Sequence, residues 1–152
     1  MTPSLLRAKV ITERSAWIKQ MLASLKALPL QSLEDFLADS RNIAAAESYL
    51  RRALEAFFDL GRHILGKGFG RAVSEYKEIA QALVHERVLA EEQGRKITQM
   101  AGYRNRMVHY YQEISNQELY DILTHDLGGI EDLLSVILKW IQDHPNMVDQ
   151  EL

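Results

Sequence analysis

The residues best suited to chemistry lie in Tyr103-Arg104-Asn105-Arg106-Met107-Val108-His109-Tyr110-Tyr111. The surrounding segment, 93–112, holds no acidic residue. Arg95, Lys96, Arg104 and Arg106 give it a local charge of about +4, within a chain of net charge −3. A positive island of this kind suits a phosphate-bearing ligand. Arginine offers a fixed fork of donors that can hold a non-bridging phosphate oxygen as charge develops on it. Histidine, with a reference pKa of about 6.5, can take a 2′-hydroxyl proton from RNA or protonate a leaving oxygen. Such phosphodiester chemistry needs neither metal nor cofactor, because RNA carries its own nucleophile. One histidine does not easily serve both ends of an in-line displacement, whereas two copies about a two-fold axis could.

Spacing constrains how these groups meet. On an ideal helix Arg104 and Tyr111 fall within roughly 20° of each other, on the stripe that carries Ile97, Ala101 and Val108. Arg104 interrupts that apolar line. Either it sits at the edge of the stripe and snorkels to water, or it is buried at a cost of several kcal/mol unless paired. His109 lies roughly 140° around from Arg104 on the same wheel. A straight helix therefore separates the two, and either the helix ends near His109 or a second copy of the chain completes the site.

Other chemistries find less support. His63, His85, His109, His125 and His144 form no Glu-x-x-His or His-x-x-x-His pair, so helical zinc and di-iron sites are not expected. Asp59 and His63 stand one turn apart and could pair with each other. No nucleophile-elbow pattern marks a Ser/His/Asp site. The stretch Gly66-Lys67-Gly68-Phe69-Gly70 matches neither phosphate-loop nor dinucleotide spacing and reads as a helix end followed by a loop. With no cysteine, disulfides and thiolate metal sites are excluded, and an intracellular, cytoplasmic protein is expected. No apolar run is long enough to cross a bilayer, and no signal peptide is seen.

The elements that must position the motif follow from periodicity. An apolar content of 47% and a charged content of 26% are those of a globular protein, and 152 residues suit one domain, placed at 1–145 with 146–152 as a short tail. Thr2-Pro3 suits a helix start, and Leu6, Val10, Trp17, Met21 and Leu25 recur at helical spacing as far as Pro29. Trp17 and Met21 read as core or interface residues. Ser32 can cap a long helix that runs through Phe36, Leu50, Leu54, Phe57 and Ile64. Residues 74–89 suit a shorter helix, and the motif helix begins near Glu91. Ser115-Asn116-Gln117-Glu118 is a capping box, so the motif helix must end by about residue 112. A last helix runs from Leu119 to Ile141, where Gly128-Gly129 suggests close approach or a bend. No alternating strand pattern is present. The expected fold is all-α, a bundle of four to five helices.

Read as Arg104-x4-His109-x-Tyr111, the motif resembles the hallmark of the HEPN superfamily, and specifically its HepT-like toxin branch. Two further stretches support the resemblance: Arg41 to Ile64, similar to the family's second helix, and Met100 to Asn105, which lead into the motif. The likeness covers most of residues 1–142 in the expected helix order. It implies a metal-independent endoribonuclease toxin of a type VII-like toxin–antitoxin pair, acting as a homodimer, with Arg104 and His109 of both protomers facing one cleft. Asn105 matches the polar position after the arginine and would help orient the site. The resemblance also implies a minimal nucleotidyltransferase (MntA-like) antitoxin that transfers AMP from ATP to the motif tyrosine, here Tyr111, with Tyr110 adjacent. A bulky anionic adduct there would fill the phosphate pocket and block RNA. The alternative is a non-catalytic helical module that serves as that enzyme's nucleotidylation substrate and partner. A structural adaptor or nucleotide-binding protein is the third reading.

Overall fold

The structure is a computed structural model and describes residues 2–109 and 113–151. Among them, seven α-helices surround one apolar core. They are α1 (Ala8–Lys26), α2 (Leu33–Leu37), α3 (Ser40–His63), α4 (Tyr76–His85), α5 (Glu91–Val108), α6 (Asn116–His125) and α7 (Leu127–Gln142). The all-α expectation holds, with a higher helix count because two expected helices are each divided. Ser32 caps α2 as expected, its Oγ accepting the Asp35 amide at 3.0 Å. The chain then restarts at Asp39, whose carboxylate accepts the Arg41 amide at 2.9 Å and caps α3 separately. The final helix divides at Asp126, whose carboxylate accepts a hydrogen bond from the Tyr103 hydroxyl of α5 at 3.1 Å. Gly128 and Gly129 mark no close approach, since a Cβ on either would meet nothing within 4 Å.

Helix α3 is the central element. Leu50, Ala53, Leu54, Phe57, Phe58 and Leu60 are wholly shielded from solvent, and α1 packs along it through Ile18, Leu22 and Leu25. Met21 joins this core, whereas Trp17 stands 39% exposed. The expected break at Gly66 does not occur. Ile64 and Leu65 are both fully buried, and the chain continues as a π-helical turn, Ile64–Gly68, before leaving at Gly70 with φ 65°. The wider winding keeps two core side chains in place through a glycine-rich stretch that an α-helix would tolerate poorly.

The N-terminus also departs from expectation. Residues Leu6–Arg7 (β1) do not join the first helix but pair in parallel with Val148–Asp149 (β2), Leu6 opposite Val148. Leu6 is fully buried by this arrangement, and helix α1 begins only at Ala8. Residues beyond Pro145 are thus joined to the body through a 3-10 turn (Pro145–Met147) and β2 rather than trailing from it.

α4 and α5 form the pair that carries the motif. A Cβ on Gly94 would collide with the Val84 side chain, so the two helices approach as closely as they do only because Gly94 lacks one. Substituting Gly94→Val should overpack this contact and destabilise the protein by about 1–3 kcal/mol. A thermal unfolding curve with an unchanged midpoint would contradict the close packing.

Candidate functional site

Helix α5 begins without a capping side chain at Ala90, but Gln93 Oε1 reaches back to accept the Ala90 amide at 2.8 Å. It ends at Val108, and His109 is its C-cap, with φ −106° and ψ 87°. Ser115 Oγ accepts the Glu118 amide at 3.1 Å and starts α6. The reciprocal half of the expected capping box is replaced, because the Glu118 carboxylate is taken by Arg106 instead. Of the two routes that spacing left open, the helix does end at His109. Arg104, Asn105, Arg106 and His109 all line one cleft of ≈ 870 Å³. Its remaining lining comes from Arg62 on α3, from Gly102 on α5 and from residues 74–77 at the start of α4. Tyr110 and Tyr111 lie outside the described residues.

Arg104 is neither fully solvated nor fully paired. Its side chain is 24% exposed, and its guanidinium carbon stands 4.4 Å from the centre of the Tyr76 ring. That ring is itself stacked on Phe58, with centroids 4.8 Å apart. Nε of Arg104 is buried and, among the described residues, is the one such side-chain atom without a hydrogen bond; Glu55 Oε1 lies 3.5 Å away. The snorkelling alternative does not describe this geometry. A buried donor left unsatisfied costs about 1–3 kcal/mol, so its persistence calls for a reason, of which a catalytic role is one.

The positive island is less positive in space than along the chain. Arg106 makes a two-pronged pair with Glu118, at 2.6 and 2.7 Å, and Arg104 has Glu55 beside it. The Arg106 hydrogen bond holds the Glu118 carboxyl below its ordinary range. Arg62 is also committed: it pairs with Asp59 at 3.0 Å and donates to the carbonyls of Val73 and Ser74. Asp59 therefore does not pair with His63, as its spacing allowed. His63 Nε2 instead accepts the Arg7 amide at 3.0 Å, and burial, then the Lys67 and Arg7 charges, hold its pKa below the ordinary value. Lys77, exposed, has no ion pair among the described residues.

Sequence reasoning missed Tyr76, Glu55 and Lys77 as site residues. Glu55 had one local signal, its one-turn spacing from Arg51, with which it pairs at 3.1 Å. Tyr76 and Lys77 had none, since only the packing of α4 on α5 brings them to the motif. No three His, Asp or Glu side chains cluster as metal ligands among the described residues, and no helix there is long and apolar enough to cross a membrane.

With the fold and cleft in place, the same architecture is found in several solved structures. A tri-AMPylated HEPN toxin from Shewanella oneidensis, in complex with MNT antitoxin, superposes with a TM-score of 0.78 at 22% identity, over 86% of this chain and 97% of that one. YutE, a cytosolic protein of unknown function from Bacillus subtilis, gives 0.74 at 21% identity, over 91% and 93%. Residues 18–137 match the family described as Ribonuclease HepT-like, and the chain belongs to that family. A relative, the tRNA nuclease HepT of Aphanizomenon flos-aquae (strain 2012/KM1/D3), is 28% identical over 112 residues, 73% of this chain and 76% of that protein.

Tyr103, also in the motif, has its hydroxyl committed to Asp126 and contacted by Gln99 at 2.9 Å. Burial, followed by the Asp126 carboxylate, pushes its pKa up to about 12. A tyrosine whose folded pKa exceeds its unfolded value near 10 contributes stability that is complete below pH ~10 and lost as pH rises towards the folded value. Ultraviolet titration should therefore show one phenolate forming near pH 12, absent in Tyr103→Phe. A complete titration of all tyrosines near pH ~10 would contradict the Asp126 contact.

Proposed function

We propose that this chain is the ribonuclease toxin of a toxin–antitoxin pair, acting as a homodimer in which each protomer contributes Arg104 and His109 to a shared cleft. His109 of one protomer takes the 2′-hydroxyl proton, and the 2′-oxygen attacks the adjacent phosphorus. The bond from phosphorus to the 5′-oxygen breaks, and that oxygen is protonated by the second protomer's copy of the histidine. The products are a 2′,3′-cyclic phosphate and a 5′-hydroxyl, with no metal required. Arg104 holds a non-bridging oxygen while charge accumulates there, and Asn105 orients the group.

The observation that carries this reading is the convergence of Arg104 and His109 on one cleft, with the Arg104 Nε buried and unsatisfied. The fixed stacking of its guanidinium on Tyr76 supports the same role, because a preoriented donor loses little freedom when phosphate arrives. The name of the cyanobacterial relative makes tRNA the first substrate to test. Arg104→Ala and His109→Ala should each lower cleavage by about 10²-fold or more in EDTA and relieve growth inhibition, with the fold retained. Equal toxicity and equal cleavage in both variants would remove the nuclease reading.

Neutralisation follows from the same cleft. A cognate minimal nucleotidyltransferase transfers AMP from ATP to the Tyr111 hydroxyl; the new bond joins that oxygen to the α-phosphorus, and pyrophosphate leaves. An AMP group two residues from His109 brings negative charge where the RNA phosphate would bind. That a HEPN toxin from Shewanella oneidensis is AMPylated in complex with MNT antitoxin supports AMP transfer as the means of neutralisation. Intact mass after incubation with the antitoxin and ATP should rise by whole AMP units in the parent, in Tyr103→Phe and in Tyr110→Phe. It should stay unchanged in Tyr111→Phe. Modification of Tyr111→Phe to the parent's extent would move the acceptor elsewhere.

A further inference from the structure

A second cleft, of ≈ 720 Å³, opens beside the first, and the two share Arg62 and Ser74 as a common wall. It lies between α1 and the π-helical turn with the loop that follows. Val10, Ala72 and Val73 supply apolar lining, while Arg14, Lys67 and Arg71 supply cations. Its one carboxylate, Asp59, is already neutralised by Arg62. Arg71 is turned towards Glu86, at 3.2 Å. Arg14 and Lys67 have no ion pair among the described residues. An apolar surface edged by two uncompensated cations matches one ligand chemistry well, a base with its phosphate.

The backbone around this cleft is unusual and firmly held. Lys67 belongs to the π-helical turn, a rare winding that tends to occur at functional sites. The Lys67 carbonyl accepts the Ser4 amide, and the Arg71 amide donates to the Leu65 carbonyl at 2.9 Å. His63, which lines the same cleft, is fixed through its ring nitrogen to the Arg7 amide. A flexible glycine loop would not hold Lys67 in one place; this arrangement does.

We propose that the second cleft binds a nucleotide of the RNA flanking the scissile phosphate, its base against Val10, Ala72 and Val73 and its phosphate between Arg14 and Lys67. That the RNA is a substrate rests on the nuclease reading. Because the two clefts adjoin at Arg62 and Ser74, a strand that leaves the Arg104–His109 site over that wall reaches this one next. A flanking nucleotide is then gripped here, apart from the bond-breaking groups.

The test uses a fluorescently labelled 2′-deoxy oligonucleotide, which has no 2′-hydroxyl and cannot be cleaved by this route. It is titrated against the full-length parent, the double variant Arg14→Gln/Lys67→Gln, and Ala72→Glu. Arg14 and Ala72 are exposed, so neither replacement disturbs the core. Both variants should bind about tenfold more weakly, and the double variant should show a salt slope smaller by roughly 0.7, because one phosphate is no longer neutralised. On tRNA both should raise KM and leave kcat unchanged, while cleavage of a dinucleotide confined to the first cleft should stay within about twofold of the parent. Undiminished oligonucleotide binding in both variants overturns the second site even if the parent cleaves RNA. Weakened binding in both, with a parent that cleaves no RNA, retains the site as an RNA groove and removes the nuclease reading instead.

Discussion

Burying the Nε–H of an arginine is costly unless an acceptor meets it, and Arg104 has Glu55 beside that atom at 3.5 Å without a hydrogen bond. Much of the structure can be understood as what keeps this side chain where it is. Tyr76 lies against the guanidinium, and Phe58 stacks on Tyr76 from the core of α3. The Phe58 position is secured by the fully buried apolar face of α3. The Tyr76 position depends on where α4 starts, which Arg62 governs by gripping the carbonyls of Val73 and Ser74. Gly94 in turn sets how close α5 lies to α4. A chain of packed contacts therefore runs from the core to one nitrogen atom.

The opposite end of the site is held by charge rather than packing. Arg106 and Glu118 tie the last turn of α5 to the first turn of α6. Arg106 also donates to the Glu113 carbonyl at 3.3 Å, within the connection between the two helices. The connection that bears the motif tyrosines thus joins two anchored helix ends. Tyr103, by contrast, serves α6 and α7 through Asp126 and belongs to the scaffold.

Helical periodicity made most of the architecture legible, because apolar stripes at 3.6-residue spacing survive any tertiary arrangement. The Ser32 and Ser115 caps were legible for a similar reason, since each depends on residues three apart. What could not be read depends on partners distant in sequence. The burial of Leu6 against Val148 delays α1 to Ala8, and the Tyr103–Asp126 hydrogen bond pins the break that divides the last helix. The acid-free segment around Arg104 suggested a strong positive field, yet Glu55 and Glu118 arrive from other helices. The motif itself was visible because its members lie within one helix and its cap; its supports, Tyr76 and Glu55, were not.

The parallel pairing of residues 6–7 with 148–149 has a consequence for synthesis. During translation Leu6 has nothing to pair with until Val148 has left the ribosome, and closing so long a loop carries an entropic cost that nearby helix contacts do not. Arg7, whose amide fixes His63, belongs to that same late-forming pair. The helices can assemble earlier from nearby contacts, whereas the rim of the second cleft is finished last. A nascent chain would therefore acquire its helical bundle before the rim that carries Arg7 and His63 is complete.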